Sequence, residues 1–192
     1  MNDLLYIDQT FEHYQGQNGR IANKEFDGCH FVNCQFSGCD FSGSIFTDCT
    51  FTECNLSMAQ LAGVQLASAV FKNCKMLGLR FEACSDFLFA VAFDHCALDF
   101  SSFARKKMPK TSFAGCSLKE VSFIETDLSQ ADFDHADLTL AVFNQTQLAG
   151  ADFTTARNFT IDPQYNPMKK ARFSSHGLIG LLSQYDIKLD LS

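Results

Sequence analysis

Residues 26–56 read FDGCHFVNCQFSGCDFSGSIFTDCTFTECNL, and an aromatic residue or leucine stands at every fifth position of this stretch. The series comprises Phe26, Phe31, Phe36, Phe41, Phe46, Phe51 and Leu56. A small residue, usually cysteine, stands two positions before each member except the first, which has Lys24 there. A period of five matches neither the helical period of about 3.6 nor the strand period of two. Because a fixed internal period usually decides the whole fold, the stretch predicts a repeat protein.

The five-residue series continues through most of the chain. It runs without a break from Ile21 to Phe81, slips, and resumes from Leu88 to Phe153. All 27 positions of the two runs are apolar, although only 46% of the chain is hydrophobic. The slip predicts a two-residue insertion within residues 82–87. Residues 1–20 keep the period only in part, so they are predicted to form an N-terminal cap, which a solenoid needs at its ends.

Composition narrows the class of protein. The length of 192 residues fits one domain, and the formal net charge of −7 argues against binding to nucleic acid. The sequence MNDLLYIDQTFEH lacks the basic and apolar regions of a signal peptide, and no apolar run is long enough to span a membrane. We therefore expect a cytoplasmic protein whose nine cysteines stay reduced.

The repeats QADFD, HADLT, GADFT and SGCDFSG resemble the A(D/N)LXX consensus of the pentapeptide-repeat family. The resemblance covers roughly residues 21–157 and implies an all-β solenoid, a right-handed quadrilateral β-helix of about seven coils within residues 21–158. In this family each pentapeptide forms one side of a square, and four pentapeptides complete one coil. The central residue and the small residue two positions before it point inward.

Stacking the chain at twenty residues per coil, with the insertion counted, brings like residues together. One side then carries Phe31, Phe51, Phe71, Phe93, Phe113, Phe133 and Phe153. The opposite side carries Ile21, Phe41, Leu61, Phe81, Phe103, Phe123 and Phe143. The cysteines fall in the inward small-residue positions, where successive repeats put Cys29, Cys34 and Cys39 on different sides. They are therefore interpreted as small apolar residues, not as metal ligands.

No motif for catalysis is present. The sequence has no Gly-rich phosphate loop, no HExxH, no GxSxG and no CxxC. We therefore expect no enzyme activity, no cofactor and no metal.

The pattern is least regular in residues 84–110, named here the projecting segment. Phe87 and Phe89 flank the central Leu88, so both are expected to point outward. Lys106 falls in an inward position near Asp86, so either the two pair or this side of two adjacent coils loops out, and looping is favoured. The segment is either a local irregularity or a partner-binding protrusion. The protrusion would use the residues Phe87, Phe89, Phe100, Arg105, Lys107 and Met108, together with Lys110.

Residues 159–192 are predicted to form a C-terminal capping and dimerisation segment. NFTIDPQYNPMKKARF predicts turns and a short strand, SSHGLIGLLSQYD predicts a helix with a serine N-cap, and IKLDL predicts a last strand. The apolar helical positions are Leu178, Ile179, Leu181, Leu182 and Tyr185. A simple cap would need the same apolar face, so homodimerisation is implied mainly by the family resemblance.

Acidic residues collect towards the C-terminus. Residues 120–162 hold eight carboxylates against Arg157 alone. On the all-phenylalanine side the outward carboxylates, named here the acidic face, are Glu53, Asp94, Asp132, Asp134 and Asp152. Such a face would present a phosphate-like field to a basic groove. Alternatively, aspartate just before the central residue serves the turns, which would explain Asp127, Asp132, Asp137 and Asp152.

The sequences NLSMAQL, CKMLGL, FDHCALDFSSF and IDPQYNPMKKARFSSHGLIGLLSQYDIKLDL resemble the bacterial branch of quinolone-resistance proteins (Qnr) and albicidin- and microcin-immunity proteins. That resemblance implies a dimeric DNA mimic that binds a type II topoisomerase, such as DNA gyrase or topoisomerase IV. The acidic face would meet the basic DNA-binding saddle, and the projecting segment would contact the enzyme. Because the long inserted loops of Qnr are missing, an immunity protein against another topoisomerase toxin, or a housekeeping relative, fits equally well. The alternative is a generic protein-interaction scaffold with no topoisomerase target.

Overall fold

A computed structural model describes residues 3–185 and Ile187, and it confirms a solenoid of stacked four-sided coils. Side 1 carries a four-stranded parallel sheet of β1 (Leu5–Ile7), β3 (Glu25–Asp27), β5 (Ile45–Thr47) and β7 (Gln65–Ala67). Side 2 carries a six-stranded parallel sheet of β2 (Thr10–Glu12), β4 (His30–Val32), β6 (Thr50–Thr52), β8 (Ala69–Lys72), β9 (Val91–Asp94) and β10 (Phe113–Ala114). Further along side 2, β11 (Asp152–Phe153) pairs with β12 (Arg172–Phe173). On sides 3 and 4, successive coils are linked by single parallel bridges, for example Gln35 with Asn55 on side 3 and Asp40 with Gln60 on side 4.

The strands are short because the chain turns a corner at the end of every side. The corner residue has a left-handed backbone, as at Asn33 (φ 53°) and Gly38 (φ 66°). This conformation favours glycine, asparagine and aspartate, which are frequent at these positions. The five-residue period therefore consists of one short extended run and one corner.

The core is made of stacked aromatic rings, as the sequence predicts. Along side 2 the ring centroids of Phe31 and Phe51 lie 4.5 Å apart, and those of Phe113 and Phe133 lie 5.2 Å apart. The column extends beyond the predicted repeat at both ends, to Phe11 and to Phe173. The N-terminal segment that was predicted as a cap therefore contains a complete coil, and the solenoid has about eight coils.

Two extra residues lie between the fourth and fifth coils. Cys34 contacts Cys54 at a separation of 20 residues, whereas Cys74 contacts Cys96 at a separation of 22. A 3₁₀ turn, Phe81–Ala83, leads into residues 84–90, named here the insertion segment, which contains no strand. The prediction that Leu88 points inward is wrong. Leu88 occupies a corner with φ 55° and is 65% exposed, because the 3₁₀ turn and the extra residues change the register, and the neighbouring Phe89 packs partly against the core instead.

The described C-terminal part continues the last coil and ends in a short helix. A 3₁₀ turn, His176–Leu178, precedes α1 (Ile179–Leu182), and Ser174 Oγ accepts a hydrogen bond from Gly177 N. Gly180 lets α1 approach the solenoid, since a Cβ there would overlap the carbonyl oxygen of Phe159. The predicted IKLDL strand lies outside the described residues except for Ile187. Within the part of the chain that the structure describes, no helix has the length and apolarity to cross a membrane.

Candidate partner-binding surface

Side 2 brings the five predicted residues of the acidic face onto one surface. Asp132 and Asp152 pair across adjacent coils, while Asp94 and Asp134 follow the buried Phe93 and Phe133. Glu12 of β2 belongs to the same side, but sequence reasoning missed it because residues 1–20 were assigned to a cap. Among the described residues, side 2 thus carries six outward carboxylates against two cations, Lys72 and Arg172.

The aspartates that precede central residues also hold the corners. Each one accepts a hydrogen bond from the amide two residues further on. These bonds run from Ser129 N to Asp127 (3.0 Å), from Asp134 N to Asp132 (3.0 Å), from Thr139 N to Asp137 (3.2 Å) and from Thr154 N to Asp152 (2.9 Å). The structural interpretation of these four aspartates therefore holds. It does not extend to Asp94 and Asp134, whose carboxylates contact His95 Nδ1 (2.6 Å) and Thr155 Oγ1 (2.6 Å) instead.

Local partners lower the pKa of some of these carboxylates. For Asp152, burial alone would raise the pKa. The hydrogen bonds from Thr154 and the charge of Arg172, whose Nη1 lies 2.8 Å from Oδ2, outweigh that effect, so the pKa of Asp152 is lowered. Arg172 also neutralises part of the charge of Asp152. Asp132 and Asp134 place two outward carboxylates on a single coil of side 2. On sides 3 and 4, several charges form ion pairs, as between Arg80 and Glu82 (2.9 Å).

The projecting segment does not form one surface. Met108 is only 2% exposed because it occupies a central inward position, so its assignment to a protrusion was wrong. Phe100 is 60% exposed but lies at the corner between sides 3 and 4. Arg105 occupies a corner that follows side 4, whereas Lys107 lies on side 1. Only the insertion segment projects, with Phe87 exposed and Phe89 half-buried.

The structure also decides how Asp86 and Lys106 are arranged. Lys106 is 2% exposed, and its Nζ donates to Asp86 Oδ1 at 2.7 Å. The sequence favours looping of this side in two adjacent coils. That prediction is wrong for the coil that contains Lys106, because Lys107 bridges Asp127 in the regular register. The first coil does leave the regular path, so pairing and looping occur together.

The nine cysteines are part of the core. All nine cysteines are free and buried, and several thiols bond to backbone carbonyls, as Cys54 Sγ does to Phe31 O (3.4 Å). Burial and the neighbouring Asp40 carboxylate raise the pKa of the Cys39 thiol to about 11. Burial raises the pKa of Cys84 to about 12. Across residues 3–185, no group of three potential ligands is placed to hold a metal ion.

The C-terminal helical segment has solvent-exposed apolar side chains. Leu178, Ile179 and Tyr185 are exposed, whereas Leu181 packs against the solenoid core and Leu182 is half-buried. The predicted dimerisation residues thus divide between a contact with the solenoid and an uncovered surface.

The sequence model of pentapeptide repeats matches the chain in eight copies, over residues 29–66 and 116–154. Residues 29–66 and 116–154 are therefore pentapeptide repeats, and they lie within the four-sided coils described above. Among solved structures, it is similar to a trypsin-treated variant of QnrB1, a plasmid-mediated fluoroquinolone resistance protein. The TM-score is 0.82 at 16% sequence identity, over 97% of this chain and 99% of that one. Full-length QnrB1 gives a TM-score of 0.68 at 17% identity, over 95% of this chain and 100% of that one. At these identities the similarity is one of fold. A comparison with curated protein sequences finds no significant match.

Proposed function

We propose that this protein is a DNA-mimicking binding protein that engages a type II topoisomerase and protects it from an antibiotic or toxin. The observation that carries the proposal is the fold similarity to a fluoroquinolone resistance protein over almost the full length of both chains. The acidic face on one side of the rod adds a physical reason for the choice of partner.

The acidic face suits a groove that normally holds DNA. Backbones of successive coils are about 4.8 Å apart, and the carboxylates of side 2 fall on every second coil from Glu12 to Asp134, with Asp152 on the coil that follows. Duplex DNA presents one phosphate about every 3.4 Å along each strand. A basic groove that tolerates such a row of charges attracts the rod through long-range electrostatics, so binding should weaken as salt rises.

Supercoiling by purified DNA gyrase, with and without a fluoroquinolone, tests the proposal. We expect the protein to inhibit supercoiling or to relieve the drug, and Asp132→Lys with Asp134→Lys to weaken that effect. The matched control is Glu120→Lys with Glu125→Lys, which changes the same charge at corners of sides 3 and 4 and should have little effect. The same assays are run with topoisomerase IV. If the unmodified protein inhibits neither enzyme, does not relieve the drug and binds neither enzyme at low salt, the proposal is rejected.

The uncovered helix residues support a homodimer formed through the C-terminal segment. Leu182→Lys places a charge on α1 and should lower the mass measured by light scattering. Met58→Lys is the control, because Met58 is 67% exposed at a corner of side 3 in the third coil, five coils from the residues that α1 contacts. An unchanged mass for Leu182→Lys would leave this face with a capping role only.

A generic interaction scaffold is the second candidate, favoured by the exposed Phe87 and Leu88. It predicts partner capture through these two residues and indifference to charge reversal on the acidic face.

A further inference from the structure

The inward positions of side 1 share a feature that explains why Lys106 is unusual. In most coils the inward residue donates a hydrogen bond to a carbonyl of the preceding coil, whereas the apolar Val64 has no donor. Ser44 Oγ bonds to Ile21 O (2.6 Å), and Thr126 Oγ1 bonds to Phe103 O (2.9 Å). Thr146 Oγ1 bonds to Phe123 O at 2.7 Å. Short side chains are sufficient because the carbonyl lies directly beside the inward position.

Lys106 also donates to a carbonyl of the preceding coil, but with a longer side chain. The coil before it contains the 3₁₀ turn Phe81–Ala83 and the insertion segment, so its backbone does not follow the regular path. Lys106 Nζ reaches Cys84 O at 2.6 Å and Asp86 Oδ1 at 2.7 Å, and it lies 4.8 Å from the centre of the Phe89 ring. A threonine would be too short to make these contacts. Since a buried ammonium is costly unless it is paired, the three contacts together account for its presence.

Lys24 supports this explanation independently. It occupies the equivalent inward position of side 1 in the second coil, next to the start of the chain. Its Nζ donates to the carbonyl of Asp3 at 2.6 Å. Both lysines of this column thus donate to a backbone carbonyl earlier in the chain, as the hydroxyl groups of Ser44, Thr126 and Thr146 do.

We propose that Lys106 holds the insertion segment in one conformation and thereby presents Phe87 and Leu88 as a rigid apolar prong. Its contacts with residues 84, 86 and 89 bracket the two exposed side chains on both sides. A prong that is ordered before binding loses less conformational entropy when it enters an apolar pocket of a protein partner. The ordering is a property of the free protein, whereas the topoisomerase as partner rests on the proposed function.

Hydrogen exchange of the free protein tests the ordering. The amides of Ser85 and Ala90 donate to Val64 O and Leu66 O, so their exchange reports on the two ends of the segment. Lys106→Met keeps the aliphatic stem and removes the ammonium. We expect exchange at these amides to accelerate about tenfold or more, with β9 unchanged. Thr126→Val, the control in the next coil of the same column, should leave both amides as they were.

Equal exchange of Ser85 and Ala90 in Lys106→Met and the unmodified protein would overturn the ordering role. Should Lys106→Met fail to fold, Asp86→Asn and Phe89→Leu change only the outer contacts. Each is then expected to accelerate exchange several-fold, and unchanged rates in both would also overturn the role.

Binding to purified gyrase tests the presentation. Lys106→Met should weaken binding, as should Phe87→Ala with Leu88→Ala. If the double alanine variant loses binding while Lys106→Met keeps it, the prong acts without being held and the presentation is refuted. If the unmodified protein does not bind gyrase or topoisomerase IV, the proposed function fails, while the exchange result still decides the role of Lys106.

Discussion

Replacing Phe113 by alanine should destabilise the protein by about 4 kcal/mol. The Phe113 ring is fully buried and stacks between Phe93 (5.4 Å) and Phe133 (5.2 Å). It also makes edge contacts with Phe103 (5.8 Å) and Phe123 (5.6 Å). The ring therefore has aromatic neighbours in its own coil and in both adjacent coils.

The magnitude follows from two contributions. Loss of burial for a phenylalanine side chain accounts for about 2 kcal/mol. The neighbouring rings cannot close the gap, because the coils are held apart by backbone hydrogen bonds, including Phe113 N to Asp132 O (2.8 Å). A residual cavity of roughly 80 Å³, at about 24 cal/mol per Å³, adds about 2 kcal/mol.

Reversible urea unfolding measures this loss of stability. Phe113→Leu keeps most of the volume and should cost only about 1–2 kcal/mol. Phe100→Ala removes an exposed ring and should cost less than about 0.5 kcal/mol. Because solenoid coils interact mainly with their neighbours, hydrogen exchange should show the largest loss of protection in the coils around Phe113. A loss below about 1 kcal/mol for Phe113→Ala would refute the conclusion that the stacked column supports the fold.

Three further predictions concern the cysteines, the C-terminal helix and acid stability. A thiol reagent should detect no fast-reacting thiol in the native protein and nine after denaturation, and any fast native reaction would contradict the burial of the cysteines. Gly180→Ala should accelerate hydrogen exchange in residues 176–185, because its Cβ would overlap Phe159, whereas the control Ser183→Ala should not. At Asp137, burial raises the pKa, but hydrogen bonds from Thr139 and Asn158 and the charge of Lys119 lower it to about 2, from a model-peptide value of 3.8. This carboxylate therefore stabilises the fold above about pH 4, and that contribution is lost as pH falls towards 2, so Asp137→Asn should flatten this part of the pH–stability curve.

The sequence was sufficient to predict the coil, because the five-residue period states both which side chains are buried and where the chain turns. The Phe31 to Phe153 column follows from that period, the insertion and the four repeats per coil that the family resemblance implies. The outermost coils were harder to recognise, since a terminal coil is packed on one side only and accepts less regular residues. Phe11 and Phe173 keep the central position in those coils, and both continue the ring column.

The insertion segment could not be predicted in detail, because a change of register leaves several paths that bury similar apolar surface. Leu88 keeps the five-residue period but lies at an exposed corner. Lys106 in an inward position was the one feature of the sequence that indicated how the insertion segment is held. The sequence already offers Asp86 as a partner of Lys106, and the structure adds the carbonyl oxygen of Cys84.

The charge and the corner function of the acidic residues can be separated by choosing asparagine as the replacement. Asp132→Lys reverses a charge, but it also removes the acceptor that holds Asp134 N. Asparagine keeps that acceptor, since Asn55 Oδ1 accepts from Ser57 N at 3.1 Å in the same geometry. Asp132→Asn combined with Asp152→Asn should therefore preserve most of the unfolding free energy while removing two charges from side 2. If gyrase binding falls and its salt dependence becomes shallower in this variant, the carboxylates act through their charge; if binding and its salt dependence both stay unchanged, these two aspartates serve only the corners.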